Sequence, residues 1–177
     1  PPGFIDNKLD DHLYGYYLSS NTGKKPAIIL LSGGSGYNPI YTEIASRFVG
    51  EGYQVLIVDY FGNGENWNQF GFDTIDTYQG YYQNVLRGIE FLKSQENVDT
   101  DHIGILGFSF GSVIAFNTAY ESEDIVVIVD TYGYLMKGWG DSIDEDIFLS
   151  RMPPTCIIHG DEDEIVYHIC VIGYSGF

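Results

Sequence analysis

Residues 103–113 read Ile-Gly-Ile-Leu-Gly-Phe-Ser-Phe-Gly-Ser-Val. An apolar strand pattern over 103–107 runs into a serine set between Gly107 and Gly111, and a helical pattern follows over 110–120. A strand that turns into a helix at a single residue strains that residue's backbone and leaves its side chain exposed beyond the strand's C-terminal end. The flanking glycines remove the β-carbons that would collide where strand and helix approach. The Ser109 hydroxyl then sits beside a helix N-terminus, whose N–H groups and dipole favour a developing oxyanion. The plainer alternative is a glycine-rich turn with a capping serine. The motif is short enough to recur by chance, so its surroundings must decide.

Those surroundings alternate. Apolar runs at 27–32, 54–59, 103–107, 125–130 and 155–159 are separated by helical patterns at 39–50, 76–94 and 110–120. Asn38 and Pro39 form an N-cap and a first helical position. The stretch Leu-Tyr-Gly-Tyr-Tyr-Leu-Ser at 13–19 adds an N-terminal edge strand. Unbroken apolar strands such as 27–32 are those covered on both faces, so the pattern predicts an α/β chain with a mostly parallel sheet between two helical layers. Chemistry in such sheets collects beyond the C-terminal strand ends.

A nucleophilic serine needs a second oxyanion donor, a base and an orienting acid. The stretch 30–38, Leu-Leu-Ser-Gly-Gly-Ser-Gly-Tyr-Asn, follows the first core strand and can bring backbone close to a substrate oxygen. We expect the N–H groups of Gly34 and Phe110 to form the hole. As a phosphate loop the stretch fails, since no Gly-Lys-Ser/Thr follows. The acidic run His-Gly-Asp-Glu-Asp-Glu-Ile-Val at 159–166 offers a carboxylate to hold a histidine. The competing readings are a solvated loop for Asp161, Glu162 and Glu164, or a cation site; EF-hand spacing and convergent histidines are both missing, so no metal and no cofactor are expected.

Composition narrows the field. The chain has 177 residues, 44% hydrophobic and 16% aromatic, the size of one domain able to bury a core without staples. Eight Lys and Arg against 25 Asp and Glu give a net charge of −17, which argues against nucleic acid and anionic membranes and disfavours anionic substrates. No apolar run is long enough to span a bilayer. A soluble chain is expected; its compartment is left open, with the cytoplasm favoured. Cys156 lies in an apolar run and reads as a buried free thiol, and nothing in the spacing requires a disulfide with Cys170.

With these residues in place the chain resembles the α/β-hydrolases, and within them the dienelactone hydrolase family. The resemblance rests on residues 30–38, Val-Asp-Tyr-Phe-Gly-Asn-Gly (58–64), 98–112, Val-Asp-Thr-Tyr-Gly (129–133) and 159–166, and spans about 27–166. It implies a single α/β-hydrolase domain with an atypical tail at 167–177. It also implies Ser109 as nucleophile, Asp163 as triad acid, Phe110 and Gly34 as oxyanion donors, and a small ester or lactone as substrate. Serine stands where this family often has cysteine, and Ser32 stands where many esterases have histidine. The family's histidine, in a loop after a further helix and strand, has no counterpart in 164–177. His12 lies upstream, His102 at the far end of a strand, and His159 at a position without catalytic duty in the family. His168 is the least implausible base. The tail reads either as a frameshifted or truncated end, or as a natural short form whose exposed sheet edge invites a homodimer. Trp67, Phe70, Phe72 and Tyr132 would wall an apolar pocket. Two other readings stand beside the hydrolase: a non-catalytic binding module of the same fold, and a flavodoxin-like nucleotide binder.

Overall fold

The run Ala27-Ile28-Ile29-Leu30-Leu31 shows why the molecule is layered. Ile29 and Leu31 face one apolar cluster, with Leu56, Val58, Ile103, Ile105 and Ile128. Leu30 faces a second, with Val55, Ile57, Leu106, Tyr41 and Ala45. Successive side chains point to opposite sides of a sheet, so a strand buried on both faces is apolar along most of its length.

The computed structural model describes residues 3–5, 13–20, 23–62, 75–134 and 145–164. In chain order the strands are β1 (Gly3–Ile5), β2 (Gly15–Ser19), β3 (Lys25–Leu31), β4 (Gln54–Val58), β5 (Val98–Phe108), β6 (Ile125–Thr131) and β7 (Thr155–Ile158). The helices are α1 (Pro39–Gly50), α2 (Ile75–Lys93), α3 (Phe110–Glu121) and α4 (Glu145–Ser150). Among the described residues the sheet runs β1-β2-β4-β3-β5-β6-β7. β1 and β2 are antiparallel to their neighbours, and every pairing from β4 to β7 is parallel. This is the expected α/β architecture with a mostly parallel sheet.

Helix α1 packs on the side of Leu30 and Leu106, and α2 and α3 on the side of Ile29 and Ile105. Asn38 caps α1 by accepting the Ile40 N–H at 3.1 Å, ahead of Pro39. Helix α3 is buried from Phe110 to Ala119. Two of its buried polar side chains are satisfied locally: Asn117 Nδ2 donates to the Val113 carbonyl at 2.7 Å and Thr118 Oγ1 to that of Ile114 at 2.8 Å.

Three expectations change. The 13–19 stretch supplies β2, which lies between β1 and β4, so it is not the edge of the sheet. β5 extends back to Val98 instead of starting at Ile103. Cys156 is a free thiol but exposed. It lies on β7, the last strand of the described sheet, where an apolar sequence does not guarantee a covering layer. Tail residues 167–177, with His168 and Cys170, lie outside the described residues, as do His12, Trp67, Phe70 and Phe72.

Candidate active site

Ser109 stands between β5 and α3 with φ 52° and ψ −118°. A left-handed φ is uncommon for any residue with a β-carbon, and such strain persists only where the surrounding structure enforces it. Here the enforcement is close packing on both sides. A β-carbon on Gly107 would lie 2.6 Å from Ser112 Cα, and one on Gly111 would lie 2.5 Å from the Ser32 carbonyl oxygen. The helix head is therefore pressed onto both the end of β5 and the loop after β3. Ser109 makes no side-chain capping bond, so its hydroxyl is not spent on its own helix. Phe110 is the first residue of α3, in the turn whose N–H donors the helix's own ladder does not consume.

The loop after β3 meets this elbow. Gly33 approaches so closely that a β-carbon there would lie 3.7 Å from Ser109 Cβ. The loop closes as a turn, with the Gly36 N–H donating to the Gly33 carbonyl at 2.9 Å. Ser32 and Gly33 are buried, and Gly34 is partly exposed. The structure thus sets the head of α3 and the glycine loop after β3 side by side at one rim.

The next two strand ends continue that rim. Phe108, Thr131 and Ile158 are in register across β5, β6 and β7. Beyond them the Ser109 N–H donates to the Thr131 carbonyl at 2.9 Å, and the Tyr132 N–H to that of Ile158 at 2.7 Å. Tyr132 has φ 46°; among the described residues it and Ser109 are the non-glycine positions with positive φ. Its ring lies 6.0 Å from that of Phe108, which lies 5.3 Å from that of Tyr41, giving an aromatic wall on the α1 side. Burial, with the Tyr41 hydroxyl nearby, pushes the Tyr132 phenol above its ordinary value.

Past β7, His159 Nε2 lies 3.5 Å from Asp163 Oδ2. The His159 side chain is only 6% exposed and its Nδ1 is sealed from solvent. A ring so enclosed is poorly placed to take a proton from a serine at the open rim. Asp130, at the end of β6, is a buried carboxylate that the sequence did not single out. It accepts the Gly133 N–H at 2.9 Å. Burial pushes its carboxyl up, and the Gly133 N–H pulls it partly back. His102 lies elsewhere, exposed, with Nδ1 2.9 Å from Asp99 Oδ2.

Asp130 carries a pH signature. Its folded-state pKa is raised, so between the ordinary Asp value and the raised one the folded chain binds more protons than the unfolded chain. Its stabilising contribution is present below that window and is lost as pH rises through it. Asp130→Asn keeps an acceptor for Gly133. Relative to the native protein, the variant is expected to gain stability between about pH 4 and pH 7. Urea unfolding at both pH values measures this, and an equal difference at the two would count against it.

A mostly parallel sheet of this order, with a positive-φ serine heading the helix after β5, defines the α/β-hydrolase fold. The chain belongs to the dienelactone hydrolase family, whose model matches residues 13–171. Solved structures agree on the fold. A dienelactone hydrolase-like promiscuous phosphotriesterase from metagenomic libraries superposes with a TM-score of 0.74 at 17% identity, covering 97% of this chain and 73% of its own. The protein m3DLH gives 0.68 at 20% identity with the same coverages. An acylaminoacyl peptidase of Pyrococcus horikoshii gives 0.69 at 19% identity over 97% of this chain but 34% of its own. No curated protein matches the sequence. No described helix is long and apolar enough to cross a membrane.

Proposed function

We propose that the protein is a serine hydrolase of small carboxylic esters or lactones. In this reading Ser109 attacks the carbonyl carbon, and the N–H groups of Phe110 and Gly34 receive the negative oxygen. Asp163 orients a base other than His159 that takes the serine proton and returns it to the leaving group. The observation that carries the reading is the left-handed backbone of Ser109 at the head of α3, packed against the glycine loop after β3. The aromatic wall of Tyr41, Phe108 and Tyr132 suits an apolar acyl or ring, and the net charge of −17 disfavours an anionic one. A fluorophosphonate probe tests the assignment: labelling mapped to Ser109 is expected, and labelling elsewhere or nowhere would reject it.

The enclosure of His159 favours a second reading, a binding module of the same fold without a base. Two substitutions separate these roles. Asp163→Asn is expected to lower ester turnover by roughly 10³–10⁴-fold, the scale seen when a triad acid is neutralised. His159→Gln is expected to lower it less than about 10-fold, because an enclosed ring steadies Asp163 without taking the proton. If His159→Gln matched the Asp163 loss, His159 would itself be the base.

A further inference from the structure

We propose that Tyr41 and Tyr60 are positioning residues that clamp the oxyanion loop from two sides and thereby select the Gly34 N–H as its donor. This inference rests on the hydrolase reading above and adds how its oxyanion hole is held.

Ser32 and Gly33 lie inside the molecule, where each N–H and C=O needs a partner or costs free energy. They follow β3, so the strand ladder no longer serves them. Two phenols, one from α1 and one from the turn after β4, take over. Tyr60 Oη donates to the Ser32 carbonyl at 2.9 Å and lies 3.4 Å from that of Gly33. Tyr41 Oη accepts the Gly33 N–H at 3.0 Å. The Gly33 carbonyl also accepts the Gly36 N–H, which closes the turn.

The Gly33 N–H is thus committed inward, and Gly34, the next amide along the chain, is partly exposed. Neither phenol is placed by chance. Tyr60 is fully buried, and its ring packs near those of Phe61, Tyr81 and Phe110. Its hydroxyl pKa is raised well above the ordinary value, chiefly by burial. The phenol therefore stays protonated, as the donor to the Ser32 carbonyl must be. Tyr41 packs against Phe108, the residue just before the serine, so loop and elbow share one support. A hole that stabilises charge only in the transition state depends on donors already in place, and a small displacement weakens it.

The test is Tyr41→Phe and Tyr60→Phe, assayed with p-nitrophenyl acetate and normalised to the serine titrated by fluorophosphonate, so that unfolded molecules are not counted. Each variant is expected to lose roughly 10-fold to 100-fold in kcat with KM within about 2-fold, less than deletion of a donor costs. A merely structural role would lower Tm and leave kcat per titrated serine untouched; values within 2-fold of native in both variants overturn the proposal. Amide hydrogen exchange gives a readout independent of activity. In the native protein the Gly33 N–H is expected to be protected and the Gly34 N–H to exchange fast, and Tyr41→Phe to strip protection from Gly33. Equal, fast exchange at both amides in the native protein overturns the clamp. A native protein without Ser109-dependent turnover but with this exchange pattern rejects the hydrolase reading and leaves the clamp standing.

Discussion

Replacing Ser109 with alanine is expected to reduce ester turnover by about 10⁴–10⁶-fold while leaving the fold intact. The size follows from the role: without the nucleophile, only the oxyanion donors and substrate binding remain, worth about 10³–10⁴-fold over water. The intact fold follows from the geometry. The Ser109 side chain caps nothing, and alanine meets the same backbone strain at φ 52° as serine does. Activity and stability should therefore separate cleanly, with Tm moving by no more than a few degrees. Steady-state hydrolysis of p-nitrophenyl acetate alongside a thermal melt measures both. Turnover within 10-fold of native would mean that Ser109 is not the nucleophile.

The second large effect is on stability. Gly111→Ala would put a β-carbon 2.5 Å from the Ser32 carbonyl oxygen and 2.6 Å from that of Leu31. Both obstacles are backbone, one in strand β3 and one just beyond it, so neither can swing aside as a flexible side chain would. Overpacking of this kind costs about 3 kcal/mol, at the upper end of the usual range. For a chain of this size that corresponds to a fall in Tm of roughly 6–12 °C. The matched control is Gly50→Ala at the end of α1, where a β-carbon meets nothing within 4 Å. That change should be neutral or slightly stabilising. Should the two alanine variants melt together, the close approach of α3 to the β3 loop would be refuted.

The elements legible in the sequence were those whose residues answer to one local rule. The run Ala27–Leu31 reads as a two-sided strand and Asn38-Pro39 as a helix start, and the structure has both. The elbow was readable because glycines at 107 and 111 and a serine at 109 meet one backbone requirement. Three-residue β1 and six-residue α4 are too short to show a period, and neither was anticipated. Cys156 misled because an apolar strand predicts burial only if another layer arrives to cover it. The supports of the site were the least visible part. Tyr41 reads as one more apolar residue of a helix, and nothing in the chain announces that its hydroxyl reaches Gly33. Asp130 ends an apolar strand, and its burial beneath Ser112 and Gly133 depends on how β6 meets α3. Such contacts join segments far apart in the chain, which local patterns do not encode.

The seating of Gly111 against the Ser32 carbonyl bears on how the protein is made as well as on how it works. Neither half of the rim can form by itself: one follows β3, the other follows β5, and the two strands become neighbours only through a long crossover. Loop-closure entropy must be met before such non-local pairing is rewarded, which makes these contacts slow to nucleate. Regain of fluorophosphonate reactivity during refolding would accordingly report completion of the central strand pair, and would lag behind the appearance of helix.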